Sequence, residues 1–163
     1  MKKQKLYYVS AFLFILIFVV SAVKLSVYFI DGYKAQKSFE SLEQSVKPQN
    51  ENNYGSSERE EKTSPLHDYE ILHEKNNDYW GWLEIEDTKL SYPVMYTPYE
   101  PEYYIDHDFE KNYSSHGVPF LDGRCTDNSK NYIIYGHHMK DGTMFSTLLS
   151  YKDKDYYESH KNI

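Results

Sequence analysis

A mainly β domain with short helices, closed as a barrel or stacked as a sandwich and held behind an amino-terminal membrane helix, is the fold class this sequence predicts. Three observations carry it. A long apolar run lies near the amino terminus. The second half of the chain alternates apolar and polar residues in short bursts separated by Asp, Gly and Pro turn signals. No internal repeat is visible, so many short strands of unequal length point to a barrel or sandwich.

The bulk properties narrow the function classes. At 163 residues the chain has room for one modest domain plus appendages. A net charge of -7 leaves no basic face to neutralise phosphates, which sets nucleic acid aside as a partner. Cys125 is the only cysteine, so an intramolecular disulfide and a cysteine-rich metal cage are both excluded.

Taken in chain order, Lys2, Lys3 and Lys5 form a short tail, residues 1–5, ahead of the apolar run from Leu6 to Val23, which resumes after Lys24 as Leu25 to Ile30. A bilayer-spanning helix needs about 20 such residues, whereas the apolar core of a cleavable signal peptide runs to roughly 7 to 15. Val20-Ser21-Ala22 loosely resembles a cleavage site, but the length favours an uncleaved anchor over residues 6–30. The lysines before the span are undiluted by acids, while Asp31, Glu40 and Glu43 follow it, which places the amino terminus in the cytoplasm and the rest outside the cell, on a single-pass membrane protein.

Residues 31–65 read as stalk and linker. Tyr33, Phe39, Leu42 and Val46 have a weak helical spacing that either prolongs the membrane helix or belongs to a solvated connector. Lys47 to Pro65 holds one aromatic among polar, charged, Gly and Pro residues, too little apolar surface to offset the entropy of ordering it, and predicts a flexible linker. The folded domain is expected over residues 66–163.

Within it, Leu66 to His73 has helical spacing, stopped by Asn76-Asn77-Asp78. Alternation predicts two strands, Trp80 to Ile85 and Leu90 to Met95, around a turn at Glu86 to Thr88, with Pro93 favouring an edge or a bulge. "YYIDHDF" and "GVPFLDGR" supply further extended pieces, and Asp122-Gly123 turns the chain toward "NYIIYGHH". After it, Asp141-Gly142 makes a turn, Thr143 caps a short helix carrying Met144, Phe145, Leu148 and Leu149, and a second helical turn covers residues 155–160.

The adjacent histidines are the chemical signal. Neighbouring strand residues face opposite ways, so His137 and His138 cannot both line one cleft; Gly136 would let a backbone or a substrate approach just before them. Alternatively both simply cap the strand's end. The other histidines show no ligand spacing, so no metal site is expected, and there is no cofactor signal. A nucleophilic site needs a thiol or hydroxyl within hydrogen-bond reach of the imidazole. If residues 117–122 pair antiparallel with residues 131–137, Cys125 sits in the connecting loop while His137 lies six strand steps away, about 20 Å at ~3.3 Å per residue. Cys125 therefore reads as a loop thiol.

Four stretches together carry a family resemblance: "YPV" at Tyr92 to Val94, "YYIDHDF" at Tyr103 to Phe109, "GVPFLD" at Gly117 to Asp122 and "IIYGHHMKDGTMF" at Ile133 to Phe145. The sequence resembles class B sortases, membrane-anchored cysteine transpeptidases of Gram-positive bacteria, over residues 66–163. The resemblance implies a sortase β-barrel that cleaves an Asn-Pro-X-Thr-type sorting signal of secreted surface proteins and joins the threonine carbonyl to an amine of a peptidoglycan precursor. His137 matches the catalytic histidine, His138 a variable place, and Ile105 an apolar lining of the sorting-signal groove. The family's nucleophilic cysteine, in a Thr-Leu-x-Thr-Cys context, and its oxyanion-stabilising arginine lie on later strands with no counterpart here. The expectation is therefore an incomplete, amino-terminal portion of the barrel, inactive alone; the alternative is a non-catalytic, membrane-tethered binding module derived from the same fold.

Overall fold

The computed structural model describes residues 2–46, 65–126 and 128–162; of the linker predicted over Lys47 to Pro65, residues 47–64 lie outside them and Pro65 begins a helix. Helix α1 runs unbroken through Lys2–Val46, 45 residues. Nearly every apolar side chain from Leu6 to Ile30 is exposed, Phe18 at 73%, the half-buried Tyr28 near its end being one exception, and the stretch is long and apolar enough to cross a membrane. Past Asp31 the helix changes character. Ala35, Phe39, Leu42 and Val46 are buried, and their spacing of four, three and four residues makes one stripe. That stripe packs on helix α2 (Pro65–Lys75) and on the sheet, with the Phe39 ring edge-on to Tyr92 at 5.0 Å. Of the two options for residues 31–46, the prolonged helix is the one observed, and its stripe belongs to the core.

Four strands form one sheet among the described residues, in the order β1 (Tyr79–Glu84), β2 (Ser91–Met95), β3 (Phe120–Leu121), β4 (Ile134–Tyr135). The first two make the expected hairpin, closed by Ile85 N–H donating to the Leu90 carbonyl at 2.8 Å and locked by Thr88, whose hydroxyl donates to the Ile85 carbonyl at 2.8 Å. Pro93 lies on an interior strand, not on an edge. It is tolerated because β2 runs beside β3, in parallel, only at Met95. Strands β3 and β4 pair antiparallel, with Phe120 opposite Tyr135 and Leu121 opposite Ile134, in the expected arrangement, although β4 is shorter than its apolar run. The sheet is open and carries short helices.

Two local expectations are corrected. "YYIDHDF" starts with a 3-10 turn at Tyr103–Ile105 instead of a strand. The turn buries Tyr104 completely, and its hydroxyl donates to Asp78 Oδ2 at 2.8 Å while accepting from Asn76 Nδ2 at 2.8 Å. Asn76 also donates to the Phe109 carbonyl at 2.7 Å, so a polar group at the end of α2 is satisfied while buried and pins the 103–109 segment. The other correction concerns Thr143, which does not cap a helix. Its hydroxyl donates to Asp141 Oδ1 at 2.6 Å, and the 3-10 segment Phe145–Lys152 starts after Met144, whose φ is +54°. The last helix, α3 (Lys154–Ser159), is capped by Asp153, which accepts from the Asp155 and Tyr156 N–H groups.

Candidate active site

A groove of about 600 Å³ opens over β3 and β4, floored by Phe120 and Tyr135 and walled by Pro98, Pro101 and the 3-10 turn. His137 and Ile105, 32 positions apart in sequence, both line it. They also touch: His137 Nε2 lies 2.7 Å from the Ile105 carbonyl oxygen. A carbonyl only accepts, so Nε2 carries a proton and Nδ1 is the ring nitrogen left free to exchange one. His138 does not line the groove; it is exposed and bridges to Met144. Gly136 leaves its space to the ring of Phe145, whose atoms would lie 2.9 Å from a Cβ there, so the approach foreseen for a backbone or a substrate is made by a side chain of the protein itself.

The Ile105 carbonyl is itself placed by a glycine. Gly117 adopts φ +57°, and a Cβ there would meet the carbonyl oxygens of Tyr104 and Ile105 at 2.5 Å, while the next residue, Val118, donates its N–H to the Tyr104 carbonyl at 2.9 Å. Gly117→Ala is therefore expected to cost about 2 kcal/mol or more in a denaturant titration and to move the Ile105 carbonyl off His137. A variant as stable as the parent would show that this close approach is not required.

One polar cluster at the end of the groove was missed in the sequence, where Asp122-Gly123 read only as a turn. Asp122 accepts from Arg124 Nε at 2.9 Å, Arg124 Nη2 at 2.7 Å, the Arg124 N–H at 2.9 Å and the Tyr135 hydroxyl at 3.0 Å. The Arg124 guanidinium holds the carboxyl far below the usual carboxylate range, and the carboxylate in turn raises the guanidinium. The hydroxyl of Tyr135 and the exposed guanidinium edge thus form a fixed polar corner in a groove also lined by Pro98, Pro101, Ile105 and Phe120.

Cys125 lies elsewhere. It is buried with Val94 and Leu121, its carbonyl accepts from the Tyr96 hydroxyl, and the cavity it lines is shared with Trp80 and Tyr132. Its burial was not legible from a loop position, but its separation from the His137 groove was. Cys125→Ala is expected to cost about 1 kcal/mol through lost packing and to leave peptide affinity of the groove unchanged. A large drop in affinity would tie the thiol to the site.

No family model matches the chain. Sortase B of Listeria monocytogenes is 42% identical over 91 residues, 55% of this chain and 37% of that protein, and sortase B of Staphylococcus aureus is 28% identical over the whole chain and 64% of its own length. Among solved structures, sortase B from B. anthracis in complex with AAEK1 superposes with a TM-score of 0.65 at 26% identity, covering 81% of this chain and 60% of that one. A Staphylococcus aureus sortase B–substrate complex gives 0.54 at 36% identity, covering 58% and 44%. The open sheet, the histidine after β4 and these superpositions define a sortase-like fold. Within that class the resemblance is to sortase B in particular, in sequence as well as in fold. The chain spans between about a third and two thirds of the length of these relatives.

Proposed function

We propose that this chain supplies the sorting-signal groove and the proton-transfer histidine of a sortase B-type cysteine transpeptidase held at the cell membrane by residues 6–30, with its amino terminus in the cytoplasm. The observation that supports this best is the meeting of His137 with the Ile105 carbonyl at the wall of a groove of about 600 Å³. In this reading an Asn-Pro-X-Thr-type segment of a secreted surface protein lies over Ile105, Phe120 and Tyr135. The thiol passes its proton to Nδ1 of His137, the resulting thiolate attacks the threonine carbonyl, and the C–N bond breaks as the imidazolium formed returns that proton to the departing amine. The resulting thioester is then opened by an amine of a peptidoglycan precursor.

Cys125 lines a different cavity from His137, which does not suit it to be that thiolate; in this reading the thiol and the oxyanion-holding guanidinium are the ones the resemblance places on the later strands of a class B sortase. The test is complementation. The full chain in lipid nanodiscs is mixed with the later strands of a class B sortase, and transfer of a sorting peptide to an amine is followed by mass spectrometry. Transfer in the mixture, and in neither part alone, supports the reading. Binding of the peptide by the chain without transfer in the mixture favours the second reading, a tethered peptide-binding module, to which the absence of Cys125 from the groove also speaks.

A further inference from the structure

The one buried histidine among the described residues is not the one in the groove. His116, 1% exposed, packs its ring 5.8 Å from that of Tyr28 on α1 and directly over Gly32, where a Cβ would lie 3.0 Å from its Nε2. Nε2 lies 3.0 Å from Asp141 Oδ2 and Nδ1 lies 3.2 Å from the Ser115 hydroxyl. A carboxylate only accepts, so Nε2 carries a proton and donates it to Asp141, while Nδ1 is paired with the Ser115 hydroxyl.

Asp141 is the tip of the turn that follows His137. Its other oxygen accepts from the Thr143 N–H at 3.0 Å and the Thr143 hydroxyl at 2.6 Å. The turn is closed by Phe145 N–H donating to the His137 carbonyl at 2.9 Å and by the Ser146 hydroxyl donating to the Met139 carbonyl at 2.5 Å. The Met144 N–H donates to the hydroxyl of Tyr92, the residue on which Phe39 of α1 packs. Burial pushes the Asp141 carboxyl up, but the bonds from His116 and Thr143 together outweigh it and leave it below its ordinary value, so it stays ionised as an acceptor at neutral pH.

We propose that His116 and Asp141 are positioning residues that tie the seat of α1 to the turn presenting His137, so that the setting of the groove histidine depends on how the anchor helix lies against the domain. Neither residue lines the groove, and neither touches a peptide in the reading above. The consequence for activity rests on that reading, but the coupling itself does not. Gly32 is the point where it is most open to disturbance, because the only space between α1 and the imidazole is the one left by a missing side chain.

The test uses the full chain in lipid nanodiscs with ¹⁵N-labelled histidine. Two signals are followed: the His137 ring nitrogens and hydrogen exchange of the Phe145 N–H. Gly32→Ala raises the helix propensity of α1, so a chain that folds is expected. It is nevertheless expected to shift the His137 nitrogens and to speed Phe145 exchange several-fold. His116→Leu is expected to speed that exchange by roughly tenfold or more, and His116→Gln, which keeps a donor for Asp141, to restore most of the parent behaviour. Parent-like His137 and Phe145 signals in Gly32→Ala overturn the proposal, whatever His116→Leu does. So does a His116→Gln chain as disturbed as His116→Leu. Failure of the parent chain to bind a sorting peptide would contradict the transpeptidase reading and leave this coupling standing.

Discussion

His137→Ala is expected to lower peptide transfer by the complemented assembly on the order of 10²- to 10⁴-fold, the usual contribution of a positioned proton-transfer group, while His138→Ala stays within a few-fold of the parent. The asymmetry is the informative part. Both residues are imidazoles one position apart, but His137 lines the groove and holds the Ile105 carbonyl, whereas His138 is exposed and bridges to Met144. Alanine at 137 also frees that carbonyl, so peptide affinity is measured separately. A loss confined to the rate of transfer assigns the effect to proton transfer, and equal losses in both variants would remove the argument from facing.

Phe39→Ala is expected to destabilise the domain by about 3 to 5 kcal/mol, as for other buried aromatic truncations. That is a large share of the roughly 5 to 15 kcal/mol of a typical domain. The ring is buried in the core and meets Tyr92 edge-on, and Tyr92 in turn accepts the Met144 N–H beside the His137 turn. Tyr33→Ala on the same helix, at a side chain 68% exposed, is expected to change stability by less than about 0.5 kcal/mol. Chemical denaturation in nanodiscs followed by the fluorescence of Trp80 and Trp82 separates the two. Equal, small effects would mean that the outer part of α1 is a tether and no part of the core.

The strands were legible where the pattern was local. The hairpin of β1 and β2 follows from alternation and a three-residue polar turn, and the β3–β4 pairing follows from Asp122-Gly123 between two apolar runs. The period-two rule does not reach the histidines, because β4 ends at Tyr135, and the hydrogen bond between His137 and Ile105 was not legible, since it joins a ring to a backbone carbonyl across 32 positions. Three features resisted for physical reasons. The apolar stripe of residues 35–46 is sparse, and only a docking partner distinguishes it from a solvated stalk. Tyr103–Ile105 looks extended because aromatic residues favour strands, but burial of Tyr104 on Asn76 and Asp78 bends it into a turn. His116 carried no motif at all, because its neighbours Gly32 and Asp141 are distant from it in sequence, Asp141 by 25 positions.

The central claim is that His137 presents Nδ1 to a peptide while Nε2–H is held on Ile105. It is tested most directly by long-range ¹H–¹⁵N spectra of the full chain in nanodiscs, with and without an Asn-Pro-X-Thr peptide. The account predicts a proton held at Nε2 and a peptide-dependent shift at Nδ1. A ring protonated at Nδ1, or a bound peptide that leaves Nδ1 unmoved, would contradict it.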